Sequence, residues 1–291
     1  MRFSIVTAFQ PVDHLIALAR AADELGYHAI SVPDHVIDLE ELATPYPYTA
    51  DGSRRWDIDA EWPDPWVLIG ALAAVTTRVR FFTSVYVAAL RSPFQVAKSV
   101  GTAAVISGNR VSLGVGIGWC KEEFELLGED FHTRGKRTDE GLALMKALWQ
   151  PGWTEFEGSF YTAPRLQMNP SPTEPIPILV GGLSEVAFHR AARHDGWVGD
   201  IYTVEEACRH AARLRKIRAE VGADGGFDII TALSDAFLPA HFATAAAAGV
   251  TEVWTMPWAY YSGVDATLEQ KLDGMRRFAQ DVMVPAQRPN G

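Results

Sequence analysis

The chain has 291 residues, 48% hydrophobic and 21% charged, a composition that supports a large buried core and argues against a disordered protein. Its 36 acidic against 26 basic residues give a net charge of −10, which excludes a general electrostatic grip on nucleic acid. The 2 cysteines, Cys120 and Cys208, are too few for a disulfide framework and fit free thiols in a reducing compartment; no apolar run reaches the roughly eighteen residues of a membrane span, so a cytoplasmic protein is expected.

Arg2 to Thr7 reads as a strand with no charged-then-apolar leader ahead of it, and Val12 to Leu25 carries apolar residues at helical spacing closed by Gly26. His28 to Val32 is a second strand. The segment 34–64 that follows is too long for a simple connection and is rich in Pro45, Pro47, Pro63, Tyr46, Tyr48, Trp56 and Trp62. A loop of that size is usually a lid or binding loop, although its aromatic residues also fit plain packing. Pro65 to Thr76 is predicted helical, Val79 to Val87 a third strand, Pro93 to Ile106 a helix ending before Gly108-Asn109, and Arg110 to Val115 a fourth strand. An amphipathic helix is expected from about Thr138 to Trp149, and 152–175 reads as an insertion with hairpin-like alternation around Gly158. Strands at Ile176 to Val180, Gly196 to Gly199, Asp228 to Ala232 and Glu252 to Met256 are separated by helices near 184–194, 204–221 and 238–248, and a last helix covers Ala266 to Val282.

Strands alternating with helices in this number call for a parallel sheet, and the count and length favour closure. The predicted fold is α/β, a (β/α)8 TIM barrel forming a single domain over 1–291, with a long loop after strand 2 and an insertion between units 4 and 5. An open dinucleotide-binding sheet requires a glycine fingerprint after the first strand, and Ala8-Phe9-Gln10-Pro11 has none.

Three strand ends carry candidate chemistry. Strand 2 ends in Pro33-Asp34-His35, a carboxylate and an imidazole at the rim where barrel enzymes place catalytic groups. Strand 4 runs into Gly114-Val-Gly116-Ile117-Gly118-Trp119; missing Cβ atoms there let a flat ligand approach the backbone, or simply make a tight turn. Strand 5 runs into Gly181-Gly182-Leu183-Ser184, which presents backbone N–H groups to a phosphate or forms an ordinary turn into a helix.

These residues, with Asp64-Pro65, Arg78-Val-Arg80 leading to Thr83-Ser84-Val85, Glu123-Phe124, Arg190-Ala-Ala-Arg193 and Asp195-Gly196-Trp197, resemble the luciferase-like monooxygenase family, and within it the coenzyme F420-dependent branch. The resemblance covers most of the chain. It implies an oxidoreductase that transfers hydride between F420 and a small organic molecule, with an FMN-dependent monooxygenase as the alternative and a non-catalytic flavin-binding protein behind both. It implies a cis Ser84–Val85 bond behind the deazaflavin ring. His35 would give a proton or stabilise charge beside the reactive ring carbon, with Asp34 as its pair. Gly116, Ile117 and Gly118 would line the cofactor cleft, and Gly181, Gly182 and Leu183 would bind its phosphate. It also implies a homodimer and no metal.

One departure narrows the substrate. The sugar-phosphate dehydrogenases of this family have a glutamate after the glycine run, where this chain has Trp119. An indole offers a large apolar surface and one donor. Together with Tyr46, Tyr48, Trp56 and Trp62 it points to an apolar or aromatic substrate.

Overall fold

The computed structural model describes residues 1–287; positions 288–291 of the expected 1–291 domain lie outside the described residues. Eight parallel strand positions close into a barrel: β1 (Arg2–Val6), β2 (Ala29–Val32), β3 (Arg80–Thr83) continued by β4 (Tyr86–Val87), β5 (Val111–Gly116), β8 (Ile178–Gly181), β9 (Gly196–Tyr202), β10 (Asp228–Leu233) and β11 (Glu252–Thr255). The ring closes where β3 pairs with β5, Phe81 opposite Val111, and where β1 pairs with β11, Phe3 opposite Val253. The helices between the strands include α1 (Val12–Leu25), α2 (Pro65–Ala73), α3 (Pro93–Ser107), α4 (Lys121–Leu126) and α5 (Arg134–Leu148). The expected TIM barrel is therefore present.

The period-two pattern of the strands sorts their side chains. Phe3, Ile5, Ile30, Phe81, Leu113, Ile178 and Val253 point outward into the layer shared with the helices. Ala29, Phe82, Leu179, Val198 and Ile230 fill the barrel interior, with Val85 and Trp254 packed against them. Each fully buried Val, Leu, Ile or Phe among them contributes about 1.5–3 kcal/mol. Caps fix where helices begin: Asp64 accepts the N–H groups of Trp66 and Val67 ahead of α2, and Gly26 closes α1 in the left-handed conformation with φ 80°.

Several elements differ from the sequence reading. The third strand is not continuous from Val79 to Val87; it breaks at Ser84–Val85, whose peptide bond is cis as expected. α5 starts at Arg134 rather than Thr138, and α4 was not predicted at all, because six residues with three glutamates show no apolar period. The insertion does form a hairpin, β6 (Thr154–Glu157) antiparallel to β7 (Thr162–Leu166). Glu140 of α5 holds its turn by accepting the N–H groups of Ser159, Phe160 and Tyr161 at 2.9, 2.7 and 2.7 Å.

The glycines of β5 also find a physical cause. A Cβ on Gly114 would stand 1.7 Å from the Thr83 carbonyl oxygen, and one on Gly116 would stand 2.5 Å from Val85 Cγ2. The missing side chains there admit the neighbouring strand rather than a ligand, which corrects the first reading of those two positions.

Candidate active site

The C-terminal ends of the strands form one mouth, covered by segment 34–64. β2 delivers Asp34 and His35 to it, and consecutive residues on an extended chain point to opposite sides. Asp34 turns inward and is fully buried. Arg91 forks both of its oxygens at 2.7 Å, and Oδ2 also accepts the Val87 N–H at 2.9 Å. Burial pushes its carboxyl above the usual range, and the guanidinium and the N–H oppose that push. The expected Asp34–His35 catalytic pair is thus corrected: Asp34 has no free oxygen, and its bonds tie the end of β2 to β4.

His35 has a different carboxylate. Its Nδ1 lies 2.9 Å from Glu123 Oε2, while Glu123 Oε1 accepts the N–H groups of Val36 at 2.7 Å and Ile37 at 3.3 Å. Burial works against ionisation of Glu123, but the imidazole hydrogen bond and these backbone donors outweigh it and hold the carboxyl below its ordinary value. A carboxylate only accepts, so the geometry assigns the Nδ1 proton to this bond, and among the described residues Nε2 has no hydrogen-bond partner. Sequence reasoning noticed Glu123-Phe124 without giving Glu123 a role. The usable signal was an acidic residue in the first turn of a short helix directly after the glycine run.

The space around the imidazole is aromatic. Trp62, Trp56 and Trp119 have ring centroids 4.9, 5.5 and 5.8 Å from His35. Tyr46 packs edge-on against both Trp56 and Trp119 at 5.2 Å, and Tyr48 lies 5.4 Å from Tyr46. Phe9, from the loop after β1, stacks on Trp56 at 5.8 Å and had no site role in the sequence reading. The Trp56 indole N–H is taken by Asp38 at 2.7 Å. Among the described residues the buried Trp62 indole nitrogen has no hydrogen-bond partner, so one donor beside His35 stands unanswered.

The remaining predicted residues lie on the adjacent strand ends. Ser84 and Val85 are half-buried, with the Ser84 hydroxyl hydrogen-bonded to that of Ser31. Val85 packs between β5 and β8, where a Cβ on Gly181 would meet it at 2.8 Å. Ile117 and Gly118 are half-buried at the rim, and the Gly118 carbonyl accepts from Arg134 at 3.0 Å. Gly182 adopts φ 117°, its carbonyl accepts the Trp197 indole N–H at 2.9 Å, and Leu183 is exposed beyond it. Ser184 caps α6 (Glu185–Ala191) by accepting the Ala187 N–H. The structure therefore places His35, Ser84, Val85, Gly116, Ile117, Gly118, Gly181, Gly182 and Leu183 on four successive positions of the ring, β2, β3/β4, β5 and β8.

Comparison with known proteins agrees with the barrel fold. The family model for luciferase-like monooxygenases matches residues 1–280. An uncharacterized protein of Mycobacterium tuberculosis is 39% identical over 287 residues, covering 97% of this chain and 99% of its own. Among solved structures, monooxygenase RslO1 from Streptomyces bottropensis superposes with a TM-score of 0.76 at 19% identity, covering 98% of this chain and 99% of its own. An F420-dependent secondary alcohol dehydrogenase in complex with an F420-acetone adduct also superposes with a TM-score of 0.76, at 14% identity and 99% coverage of both chains. At such identities the superpositions establish the fold alone.

Proposed function

This chain belongs to the luciferase-like monooxygenase family, and from that premise we propose that it transfers hydride between coenzyme F420 and an apolar or aromatic organic substrate. The observation that carries the proposal is the His35–Glu123 pair, a charged carboxylate fixing an imidazole that aromatic rings surround. The donor set fits a flat heterocycle with acceptor atoms: the unpartnered Trp62 N–H beside His35, the apolar Val85 face, and the strand-end backbone at Gly181, Gly182 and Leu183. Ser84, Val85, Ile117 and Gly118 would lie along the ring, and Gly181, Gly182 and Leu183 at the phosphate end.

Bound F420 supplies a ring carbon that accepts or releases hydride. The chain supplies the rest. Glu123 orients His35 and stabilises charge on it; His35 Nε2 gives a proton to a substrate carbonyl oxygen as hydride arrives, or takes it from an alcohol in the reverse direction. Trp119, Tyr46, Tyr48, Trp56 and Trp62 exclude water and seat an apolar body. A sugar phosphate would leave polar groups unpaired against that wall, at about 1–3 kcal/mol each. Family membership also supports a homodimer of one-domain subunits acting in the cytoplasm on a small molecule, which sedimentation of the purified protein would test for assembly. Among the described residues no helix is long and apolar enough to cross a membrane.

The second reading is an FMN-dependent monooxygenase, favoured by the superposition on monooxygenase RslO1 and, with a TM-score of 0.62 at 17% identity, on a type II Baeyer-Villiger monooxygenase in complex with FMN. Titrating the purified protein with F420 and with FMN separates the two. We expect F420 to bind at least about tenfold more tightly, a difference of about 1.4 kcal/mol, and anaerobic reoxidation of reduced F420 by cyclic ketones and enones but not by glucose 6-phosphate. Tighter FMN binding with substrate-dependent oxygen uptake would establish the monooxygenase instead.

A further inference from the structure

The tip of the long segment, residues 45–60, brings Tyr46 and Trp56 over His35 and Trp119. Both legs leading to it are fastened to the barrel through the backbone. Glu123 holds the N–H groups of Val36 and Ile37, Glu122 holds those of Ala43 and Thr44 at 2.9 Å, and Glu61 accepts the Val12 N–H at 2.6 Å. The polar bonds of the tip otherwise stay within the segment: Arg54 and Trp56 to Asp38, Tyr46 N–H to the Gly52 carbonyl, Thr49 to Ser53. Among the described residues one hydrogen-bonded tie joins the tip to a barrel strand. Arg55 forks Asp200 of β9 at 2.7 and 2.6 Å, while also donating to the Tyr48 carbonyl at 2.5 Å. Its guanidinium lies 5.5 Å from the Tyr46 ring centroid and 6.0 Å from that of Tyr48.

We propose that the Arg55–Asp200 pair is a latch that holds the 45–60 tip closed over His35, so that substrate enters and product leaves when this pair parts. Its side chains are 27% and 17% exposed, which places it between two regimes. A fully exposed pair would be worth too little to hold a lid, and a fully buried one would be too costly to break on each cycle. A bidentate guanidinium–carboxylate contact also fixes geometry as a single ammonium would not. Breaking it frees the two tyrosines stacked around Arg55, and with them the wall that Tyr46 makes against Trp119. The latch rests on the reading of the His35 mouth as the reaction centre.

Hydrogen exchange on the full-length protein without ligand tests it for wild type, Arg55→Gln, Asp200→Asn and the double variant. Peptides covering 43–62 should exchange roughly tenfold faster in each variant, with no change in β1 or α1 and no further gain in the double variant. Raising sodium chloride from low to molar concentration should speed the same peptides in wild type and leave Arg55→Gln unaffected. Unchanged exchange in the variants, or effects that add in the double variant, would overturn the latch. If the variants do not fold, the wild-type salt series decides, and salt-independent protection of 43–62 counts against it. A tip that loosens as expected in a protein inert toward reduced F420 would keep the latch and remove the functional reading.

Discussion

The barrel holds two histidine–glutamate pairs at opposite ends, and they behave in opposite ways. At the mouth, His35 and Glu123 are 2.9 Å apart, and two backbone N–H groups help to keep the carboxylate charged. At the base, His28 Nε2 lies 3.5 Å from Glu252 Oε2, with Ser4 and Arg2 as further partners of the carboxyl group. Burial there raises the Glu252 carboxyl to about 7 and lowers the His28 imidazole to about 4. The base pair is driven toward neutrality and fills space; at the mouth the Glu123 carboxylate keeps its charge beside a pocket. Burial opposes charge at both ends; at the mouth the hydrogen bonds to Glu123 outweigh it, and at the base those to Glu252 do not.

The strongest break of this contrast is His35→Ala. Turnover should fall by about 10²–10⁴-fold, the range for loss of a general acid–base, while cofactor affinity stays within about tenfold. Steady-state kinetics with a binding titration checks this, and unchanged turnover would remove His35 from the reaction.

Next in size is Asp34→Asn, which leaves a guanidinium beside a neutral amide in a buried site. Stability should drop by about 1–3 kcal/mol in denaturant unfolding, because the half-buried Arg91 loses its charged partner while keeping part of its hydration. A loss of activity with full stability would mean that Asp34 acts chemically after all.

The base pair offers a smaller and sharper test. Between about pH 4.5 and 6.5 the unfolded chain carries an ionised Glu252 and a protonated His28, whereas the folded chain carries both neutral. Each state then binds one proton at the pair, and the stability contribution is flat in pH. Removing one partner exposes the other. In Glu252→Gln the lowered His28 remains, so stability should rise with pH from about 4 to about 6.5. In His28→Gln the raised Glu252 remains, so stability should be highest below about pH 4.5 and fall as pH rises through about 7. Parallel pH profiles for the two variants would contradict the neutral pair.

Much of the fold was legible because alternating apolar strands and capped helices are local patterns, as Gly26 closing α1 and Asp64 opening α2 show. The site was legible in its residue types and not in its partnerships. Asp34 and His35 are adjacent in sequence, and adjacency suggested a pair; the pleat sends them apart, to Arg91 and Glu123, which lie 57 and 88 positions from Asp34 and His35 respectively. The carboxylate thought lost with Trp119 returns four residues later from α4. Gly114 and Gly116 looked like ligand contacts because no single sequence reveals that Thr83 and Val85 approach them. Such long-range contacts carry no periodic trace in the chain.

The most direct test is a double-mutant cycle on His35 and Glu123, following reoxidation of reduced F420 by a cyclic ketone under argon in wild type, His35→Ala, Glu123→Gln and the double variant. If Glu123 acts by orienting and charging His35, Glu123→Gln should slow turnover about 10–100-fold, and the double variant should be no slower than His35→Ala alone. Losses that multiply in the double variant, or a Glu123→Gln enzyme as fast as wild type, would contradict a mouth built around this pair.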